Sequence, residues 1–206
     1  MRIGIIGAGR IGSTLAKHFV DAGHEVAVAN SRGPETLREL AAQLGVQALT
    51  VDDVARFGEL VVVSIPFGRY LDVPVDSLAG KTVIDTNNYY PQRDGPYPDL
   101  DSGAITSSEL LQRHLIGAHV VKAFNAIRSD HLRDYARPGG GERYGIPIAG
   151  DSSEAKRQVV DLIDAMGFDP VDAGDLAAGR AFERGADLYG ADLSGEELRK
   201  KLGTAR

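Results

Sequence analysis

The segment RIGIIGAGRIG, at residues 2–12, places the strongest constraint on the fold. It joins a short apolar run to a glycine turn of the form G-x-G-x-x-G, made by Gly7, Gly9 and Gly12. Apolar side chains then recur at the four-residue spacing of an amphipathic helix. A strand that enters a helix through three such glycines is typical of a βαβ unit, because the glycines permit a sharp turn and close packing of helix on strand.

Short Val- and Ile-rich runs recur along the chain without regular polar alternation, as in strands that helices cover on both faces. The predicted strands span 2–7, 25–30, 60–66, 82–87, 119–125 and 145–151, with one more near 168–174. Helices are predicted over 9–23, 33–45 and 151–167. The predicted fold class is α/β, a Rossmann-type doubly wound and mainly parallel sheet with a short C-terminal appendage.

Composition excludes several classes of function. A net charge of −6 argues against overall affinity for nucleic acid or an anionic membrane, so neither is an expected partner. The chain has no cysteine, and its five histidines lack a metal-ligand spacing, so no metal site is predicted. No apolar run reaches the ~18 residues of a membrane span, and the first run is too short for a signal peptide. A cytoplasmic location is the default expectation.

The context of the glycine turn predicts a dinucleotide site. A helix that begins at this turn offers unpaired N–H groups and a partial positive charge to a pyrophosphate. Gly7 would allow the turn, Gly9 the close approach of backbone to pyrophosphate, and Gly12 the packing of helix on strand. The alternative is a glycine turn with a purely structural role.

The end of the second predicted strand selects the dinucleotide. Asn30, Ser31 and Arg32 stand where an NAD-specific site would carry an Asp or Glu for the ribose 2′-hydroxyl. A guanidinium can instead pair with a 2′-phosphate, and Arg38, six residues on, could return to the same pocket. The sequence therefore predicts NADP(H) rather than NAD, against the alternative of arginines in an exposed turn.

Polar residues also follow the later strands, at the edge where ligands of open α/β sheets bind. Ile65 and Pro66 are candidates for a wall against the ribose, and Arg69 for a position near the phosphates. Asn87 and Asn125 are candidates for holding the nicotinamide carboxamide or the second substrate, with local turn capping as the alternative.

The sequence shows no clear acid–base set. Lys122 and Asn125 form a Lys-x-x-Asn pair, but they lie at the end of a predicted strand, so Lys122 is not expected to act as a general acid. Hydride transfer between two cofactors needs orientation more than proton chemistry, and the missing set is compatible with such a reaction.

With these residues assembled, the chain resembles the NADPH-dependent coenzyme F-420 reductases, or F-420:NADP oxidoreductases. The resemblance runs through IGIIGAGRIGSTLAKHF, VANSRGPETL, SIPFGRY, VIDTNNYYPQRDG, VVKAFNAI and IPIAGDS. It implies hydride transfer between NADPH and a deazaflavin, coenzyme F-420, as a small-molecule redox substrate. The cytosolic domain of six-transmembrane ferric reductases looks similar and uses flavin.

The resemblance also implies residue roles. The 2′-phosphate clamp would comprise Ser31, Arg32 and Arg38. The backbone N–H groups of Arg10 and Ile11 would donate to the pyrophosphate. The second wall of the cofactor site would comprise Ser64, Ile65, Pro66 and Arg69. Ala123 and Asn125 would flank the nicotinamide and the deazaflavin, with Asn125 as the one candidate for a part in catalysis.

We assign residues 1–150 to an NADP-binding domain and 151–206 to a helix–strand extension whose polar tail packs on the same domain. The tail is long enough to form a cap on the cleft or an arm that contacts a second subunit. A homodimer is therefore one possible oligomeric state. The glycine-rich stretch 137–143 is interpreted as a connecting loop, with a lid as the alternative. Two other functions stay open: an NADPH-dependent imine or carbonyl reductase, and a non-catalytic NADP-binding protein.

Overall fold

A computed structural model describes residues 1–139 and 141–204; Gly140, in the predicted connecting loop, lies outside the described residues. The strands are β1 (Arg2–Ile6), β2 (Glu25–Ala29), β3 (Gln47–Ala48), β4 (Leu60–Val63), β5 (Thr82–Asp85), β6 (His119–Lys122), β7 (Gly145–Gly150) and β8 (Asp169–Asp172). The α-helices are α1 (Arg10–Asp21), α2 (Arg38–Leu44), α3 (Val51–Phe57), α4 (Pro91–Asp94), α5 (Pro98–Asp101), α6 (Ser107–His114), α7 (Ser129–Asp134), α8 (Ser153–Ala165) and α9 (Gly195–Leu202). Short 3₁₀ helices span Pro34–Leu37, Phe67–Asp72, Asp76–Leu78 and Leu176–Ala181.

The strands form one sheet in the order β3-β2-β1-β4-β5-β6-β7-β8. The first six pair in parallel, β7 runs antiparallel to β6, and β8 runs parallel to β7. This is the order of a Rossmann-type sheet, so the predicted fold class is confirmed. The strand order reverses between β1 and β4, which places a crevice at their carboxyl ends.

Helices cover both faces of the sheet because successive strand residues point to opposite sides. Val26 and Val28 of β2 join a core cluster with α1 and α8, while Ala27 and Ala29 join a second cluster with α3 and α6. The absence of polar alternation in the strands therefore reflects burial on both faces, as predicted.

The predicted helices agree with the structure except in one detail. The Ser152 hydroxyl caps α8 by accepting from the Ala155 N–H, and the apolar face of the helix is buried: Val159, Leu162, Ile163 and the following Met166. The prediction over 33–45 is only partly right, because its first turn is a 3₁₀ helix over Pro34–Leu37 and α2 begins at Arg38.

The polar tail packs on the last strands of the sheet. Leu198 of α9 is buried in a small apolar cluster, and Arg199 forms a bidentate ion pair with Asp169 of β8. The domain boundary at 150 stays a prediction, since β7 and β8 belong to the same sheet as β1. Over residues 1–139 and 141–204, none of the helices combines the length and apolar character needed to cross a bilayer.

Candidate functional site

A cleft of about 380 Å³ lies at the point where the strand order reverses. Three segments line it: residues 6–9 at the end of β1, 30–32 after β2 and 64–66 after β4. The rest of the lining comes from Val51, Arg69, Asp72 and Val73. Nine of the predicted site residues meet here: Gly7, Gly9, Asn30, Ser31, Arg32, Ser64, Ile65, Pro66 and Arg69. The other predicted residues are not part of this lining: Arg10, Ile11, Gly12, Arg38, Asn87, Ala123 and Asn125.

The three glycines of the turn differ in whether the protein has room for a side chain at their positions. Gly7 has a φ of 110°, and a Cβ there would lie 2.1 Å from the Ser64 carbonyl oxygen. A Cβ on Gly12 would lie 1.9 Å from the Gly7 carbonyl oxygen, so helix and strand pack without room for a side chain. At Gly9 a Cβ would meet no protein atom within 4 Å. The protein's own packing thus accounts for Gly7 and Gly12, while Gly9 leaves space for a ligand to approach the backbone.

Helix α1 begins beside this space with no side-chain cap and no acid in its first turn. Its first amide groups, including those of Arg10 and Ile11, have no carbonyl one turn earlier in the helix to bind. An anion at this position would receive both N–H donors and the positive end of the helix dipole. The predicted pyrophosphate donors therefore occupy a suitable place, and their role stays a prediction.

The end of β2 is shaped by Asn30. Its Oδ1 accepts from the Arg32 N–H at 2.9 Å, and its Nδ2 donates to the Thr36 hydroxyl at 2.9 Å. This side chain organises the turn that presents Ser31 and Arg32, both exposed, to the cleft. Within the described residues the Arg32 guanidinium has no ion-pair partner.

The opposite wall comprises Ser64, Ile65 and Pro66. The strand predicted over 60–66 ends at Val63, and Pro66 directly precedes a 3₁₀ helix, so this segment turns away from the sheet. Arg69 also lines the cleft, but it pairs with Asp72 in the same 3₁₀ helix. Of the described residues that line the cleft, Asp72 is the one carboxylate. An anion in the cleft therefore faces no unpaired acid.

Arg38 lies outside the lining of the cleft, and its part in the predicted clamp stays a prediction. It is exposed at the start of α2. The prediction assumed that one α-helix begins near Pro34, whereas a 3₁₀ turn precedes α2. A 3₁₀ helix rotates by 120° and an α-helix by 100° per residue, so four residues change the side-chain direction by about 80°.

Asn87 and Asn125 lie farther along the same edge of the sheet, buried after β5 and β6. Asn87 Oδ1 accepts from the Ile65 N–H at 2.8 Å, which connects it to the cleft wall. Asn125 Nδ2 donates to the Phe182 carbonyl at 2.9 Å. Ala123 is fully buried, and its N–H extends the ladder to the Asp85 carbonyl at 3.1 Å.

Comparison with known proteins agrees with this geometry. The family described as NADP oxidoreductase, coenzyme F420-dependent, matches residues 2–89, which contain the glycine turn and the ends of β2, β4 and β5. A solved structure of a proposed F420-dependent NADP reductase from Arthrobacter shares 27% identity and a TM-score of 0.76, covering 100% of this chain and 96% of that one.

Residues 2–89 thus match the coenzyme F420-dependent NADP oxidoreductase family, and the Arthrobacter structure extends the similarity over the rest of the chain. The resemblance predicted from the sequence is therefore confirmed, and with it the class of NADP-dependent oxidoreductases. A hypothetical protein from Sinorhizobium meliloti is similar over nearly its whole length, with 33% identity, a TM-score of 0.82 and coverage of 94% of this chain and 95% of that one.

Metalloreductase STEAP3 from Rattus norvegicus is a further relative of this chain. It is 33% identical over 184 residues, which make up 88% of this chain and 36% of the relative. The chain thus spans about a third of the length of the curated relatives that it matches.

The protein also contains a buried charge cluster that the sequence did not predict. Lys122 is fully buried, and its Nζ lies 3.2 Å from Glu183 Oε1 and 3.8 Å from Asp85 Oδ2. Hydroxyl groups of Ser107 and Ser108 lie 3.1 and 2.9 Å from the same ammonium. The Lys122 ammonium is therefore shut off from solvent, and the expectation that it does not act as a general acid stays a prediction.

The two carboxylates of this cluster differ. Burial raises the pKa of Asp85 despite the nearby ammonium and two hydrogen-bond donors. Burial also acts to raise the pKa of Glu183, but Lys122 and the donors of Ser107 outweigh it, so this pKa is lowered. The available signal was a charged residue at the end of each of two neighbouring apolar strands, TVID and HVVK, because Asp85 and Lys122 are register partners.

Proposed function

We propose that this protein is an NADP(H)-dependent oxidoreductase that transfers hydride between NADPH and coenzyme F-420 or a flavin-like acceptor. One observation carries the proposal: Arg32 presents an exposed guanidinium, with no carboxylate partner among the described residues, to the cleft at the end of β2. A carboxylate in this place would repel a 2′-phosphate, whereas a guanidinium can bind it in bidentate fashion.

The residues of the cleft suit such a ligand along its length. Ser31 and Arg32 would hold the 2′-phosphate, and the start of α1 above Gly9 would hold the pyrophosphate. Ile65 and Pro66 would pack against the ribose and exclude water. When bound, NADPH supplies the hydride, and the protein supplies orientation, which is the main requirement of a transfer without proton chemistry.

Exchange of single arginines tests the cofactor. Arg32→Ala removes charge-assisted hydrogen bonds, so we expect the Kd for NADPH to rise roughly 10- to 150-fold, from about 1.5–3 kcal/mol, with little change for NADH. Arg38→Ala is the matched control, because this exposed arginine lies outside the cleft lining; its effect should stay within about twofold. Calorimetric titration measures the Kd of each variant for NADPH and for NADH. Equal losses of NADPH and NADH affinity in Arg32→Ala would contradict the proposed clamp.

The acceptor is tested separately. Stopped-flow absorbance follows the deazaflavin band after F-420 is mixed with NADPH and the protein, with FMN and FAD as parallel acceptors. Reduction of F-420 or a flavin well above the buffer rate supports the proposal. Tight NADPH binding without turnover of any of the three would instead indicate an NADP-binding protein without this activity.

A further inference from the structure

A polar groove of about 670 Å³ lies between α1 and α7. Three exposed arginines from these two segments line it: Arg10, Arg128 and Arg133. Among the described residues of its lining, Asp130 is the one carboxylate. The groove begins beside the dinucleotide cleft, because Arg10 directly follows Gly9 of the cleft lining, but the two linings share no residue. The proposed cofactor site therefore leaves this convergence of basic side chains without a role.

The positive charge of the groove is not fully compensated. Arg128 forms a bidentate pair with Asp130, at 3.1 and 2.6 Å. Arg133 pairs in the same way with Asp134, at 2.7 Å for both bonds. Within the described residues the Arg10 guanidinium has no ion-pair partner. Three guanidinium groups thus face two carboxylates in a chain with a net charge of −6, so the groove is a positive region on an acidic protein.

The two ion pairs in the groove are weak and can be exchanged. The side chains of Arg128 and Arg133 are 63% and 67% exposed, and each pairs with an acid one or two residues away. Exposed pairs contribute little to stability, because water screens them. A phosphate group offers three acceptor oxygens, and guanidinium groups bind it in bidentate fashion. The arginines can therefore exchange their neighbouring acids for a phosphate.

Contacts of α7 hold one wall of the groove in place against the other. His18 Nε2 in α1 lies 2.7 Å from the Leu132 carbonyl in α7, and the Leu132 side chain is fully buried. A carbonyl can only accept, so the imidazole donates. His131 of the same helix lies 2.8 Å from Asp192 in the C-terminal segment. The arginines of α7 are thus presented from a helix that is fixed on two sides.

The groove lies at the side of the sheet where the second substrate of a hydride transfer would bind. A dinucleotide would run from the end of β2 across the glycine turn toward β4 and β5, because it crosses the switch point of the sheet. Its nicotinamide would then lie toward β6, whose carboxyl end leads into α7. An acceptor ring stacked on the nicotinamide would have the start of α7 within reach of its side chain.

We infer that the groove between α1 and α7 is a further anion site, in which Arg10, Arg128 and Arg133 bind the phosphate on the side chain of the electron acceptor. The inference rests on the proposed function, which supplies the acceptor. It makes the protein selective for acceptors that carry a phosphate, such as FMN or coenzyme F-420, over the same rings without one. The pyrophosphate of NADP(H) is the other source of this chemistry, and the experiment separates the two.

Two pairs of acceptors test the inference. FMN and riboflavin share one ring and differ in the terminal phosphate. F-420 differs from its deazariboflavin fragment in the phosphate and the carboxylates that follow it. In calorimetric titrations of the wild-type protein saturated with NADP⁺, we expect the phosphorylated member of at least one pair to bind roughly 5- to 50-fold more tightly than its partner.

Arginine variants locate the phosphate. In Arg10→Ala and in Arg133→Ala this preference should fall roughly threefold or more, while the Kd for NADP⁺ should change by less than about twofold. Arg56→Ala is the matched control, because this arginine is equally exposed and pairs with Asp53 on α3, outside the groove. It should keep the wild-type preference.

The other results contradict the inference in distinguishable ways. Equal binding within both pairs, or a preference that Arg10→Ala and Arg133→Ala leave unchanged, overturns it and leaves the proposed function standing. If these variants weaken NADP⁺ instead, the groove serves the pyrophosphate and the inference is wrong. If NADP⁺ binds and no acceptor does, the acceptor part of the proposed function fails, and the inference fails with it.

Discussion

Replacing Lys122 with methionine tests the buried charge cluster. Methionine has nearly the length of lysine and fills the space of its stem, so the main change is the loss of an ammonium. Asp85 is fully buried, and Glu183 keeps 22% of its side chain exposed. The variant therefore leaves one carboxylate without solvent and one with partial access to it.

The expected loss follows from that difference. Removing one partner of a buried ion pair typically costs about 3–5 kcal/mol, because the remaining group must either stay buried as an uncompensated charge or take up a proton. We expect one such loss, from Asp85, since Glu183 can still be hydrated. For a chain of 206 residues, at about 2–4 °C per kcal/mol, this corresponds to a fall in Tm of roughly 6–20 °C.

The loss should depend on pH with a definite sign. Burial already raises the pKa of Asp85, and removal of Lys122 raises it further. A carboxyl whose pKa is raised in the folded state destabilises the fold as pH rises above its unfolded pKa of about 3.9. The variant should therefore lose roughly 1.4 kcal/mol per pH unit while Asp85 stays protonated, and its deficit against the wild type should shrink from pH 8 to pH 5.5.

Chemical denaturation at both pH values measures the free energy of unfolding. The matched control combines Lys122→Met with Asp85→Asn and Glu183→Gln, which removes all three charges and should recover most of the loss. A Lys122→Met protein as stable as the wild type at pH 8, or a deficit that is independent of pH, would refute the reasoning.

Two further predictions concern the cleft. Gly9→Ala should keep the free energy of unfolding within about 1 kcal/mol of the wild-type value, because the added Cβ meets no protein atom within 4 Å, yet it should weaken NADPH binding. Gly12→Ala should destabilise the fold by about 1–3 kcal/mol, because the added Cβ would lie 1.9 Å from the Gly7 carbonyl oxygen. Thermal unfolding and calorimetric titration of both variants check this, and unchanged NADPH affinity in Gly9→Ala would count against a pyrophosphate there. Arg69→Ala should weaken NADPH by less than about threefold, because its pairing with Asp72 already compensates the charge; a loss of roughly tenfold or more in the same titration would show that Arg69 leaves Asp72 to bind the ligand.

The sequence predicted the parallel sheet and the cleft at its switch point because both depend on local patterns. Apolar runs mark the buried strands, and the spacing of Gly7, Gly9 and Gly12 marks the turn. The short strand β3 was missed because Gln47–Ala48 is too brief for any periodicity to appear.

Other parts of the site depend on contacts that spacing cannot reveal. The ion pair of Lys122 with Glu183 joins residues far apart in the chain, and only the packing of the segment after Leu176–Ala181 brings them together. Likewise, spacing cannot reveal that Asn87 Nδ2 and Asn125 Oδ1 are buried without a hydrogen-bond partner among the described residues. The start of α2 was placed too early because the sequence does not distinguish a 3₁₀ turn from the first turn of an α-helix.

The two outer strands of the sheet have a consequence for self-association. At one margin β3 has two residues, and at the other the four-residue β8 carries Pro170. Short outer strands and proline both oppose intermolecular β-pairing and the aggregation that follows from it. Two copies of this chain would therefore have to associate through helices or loops rather than by joining their sheets into a continuous one.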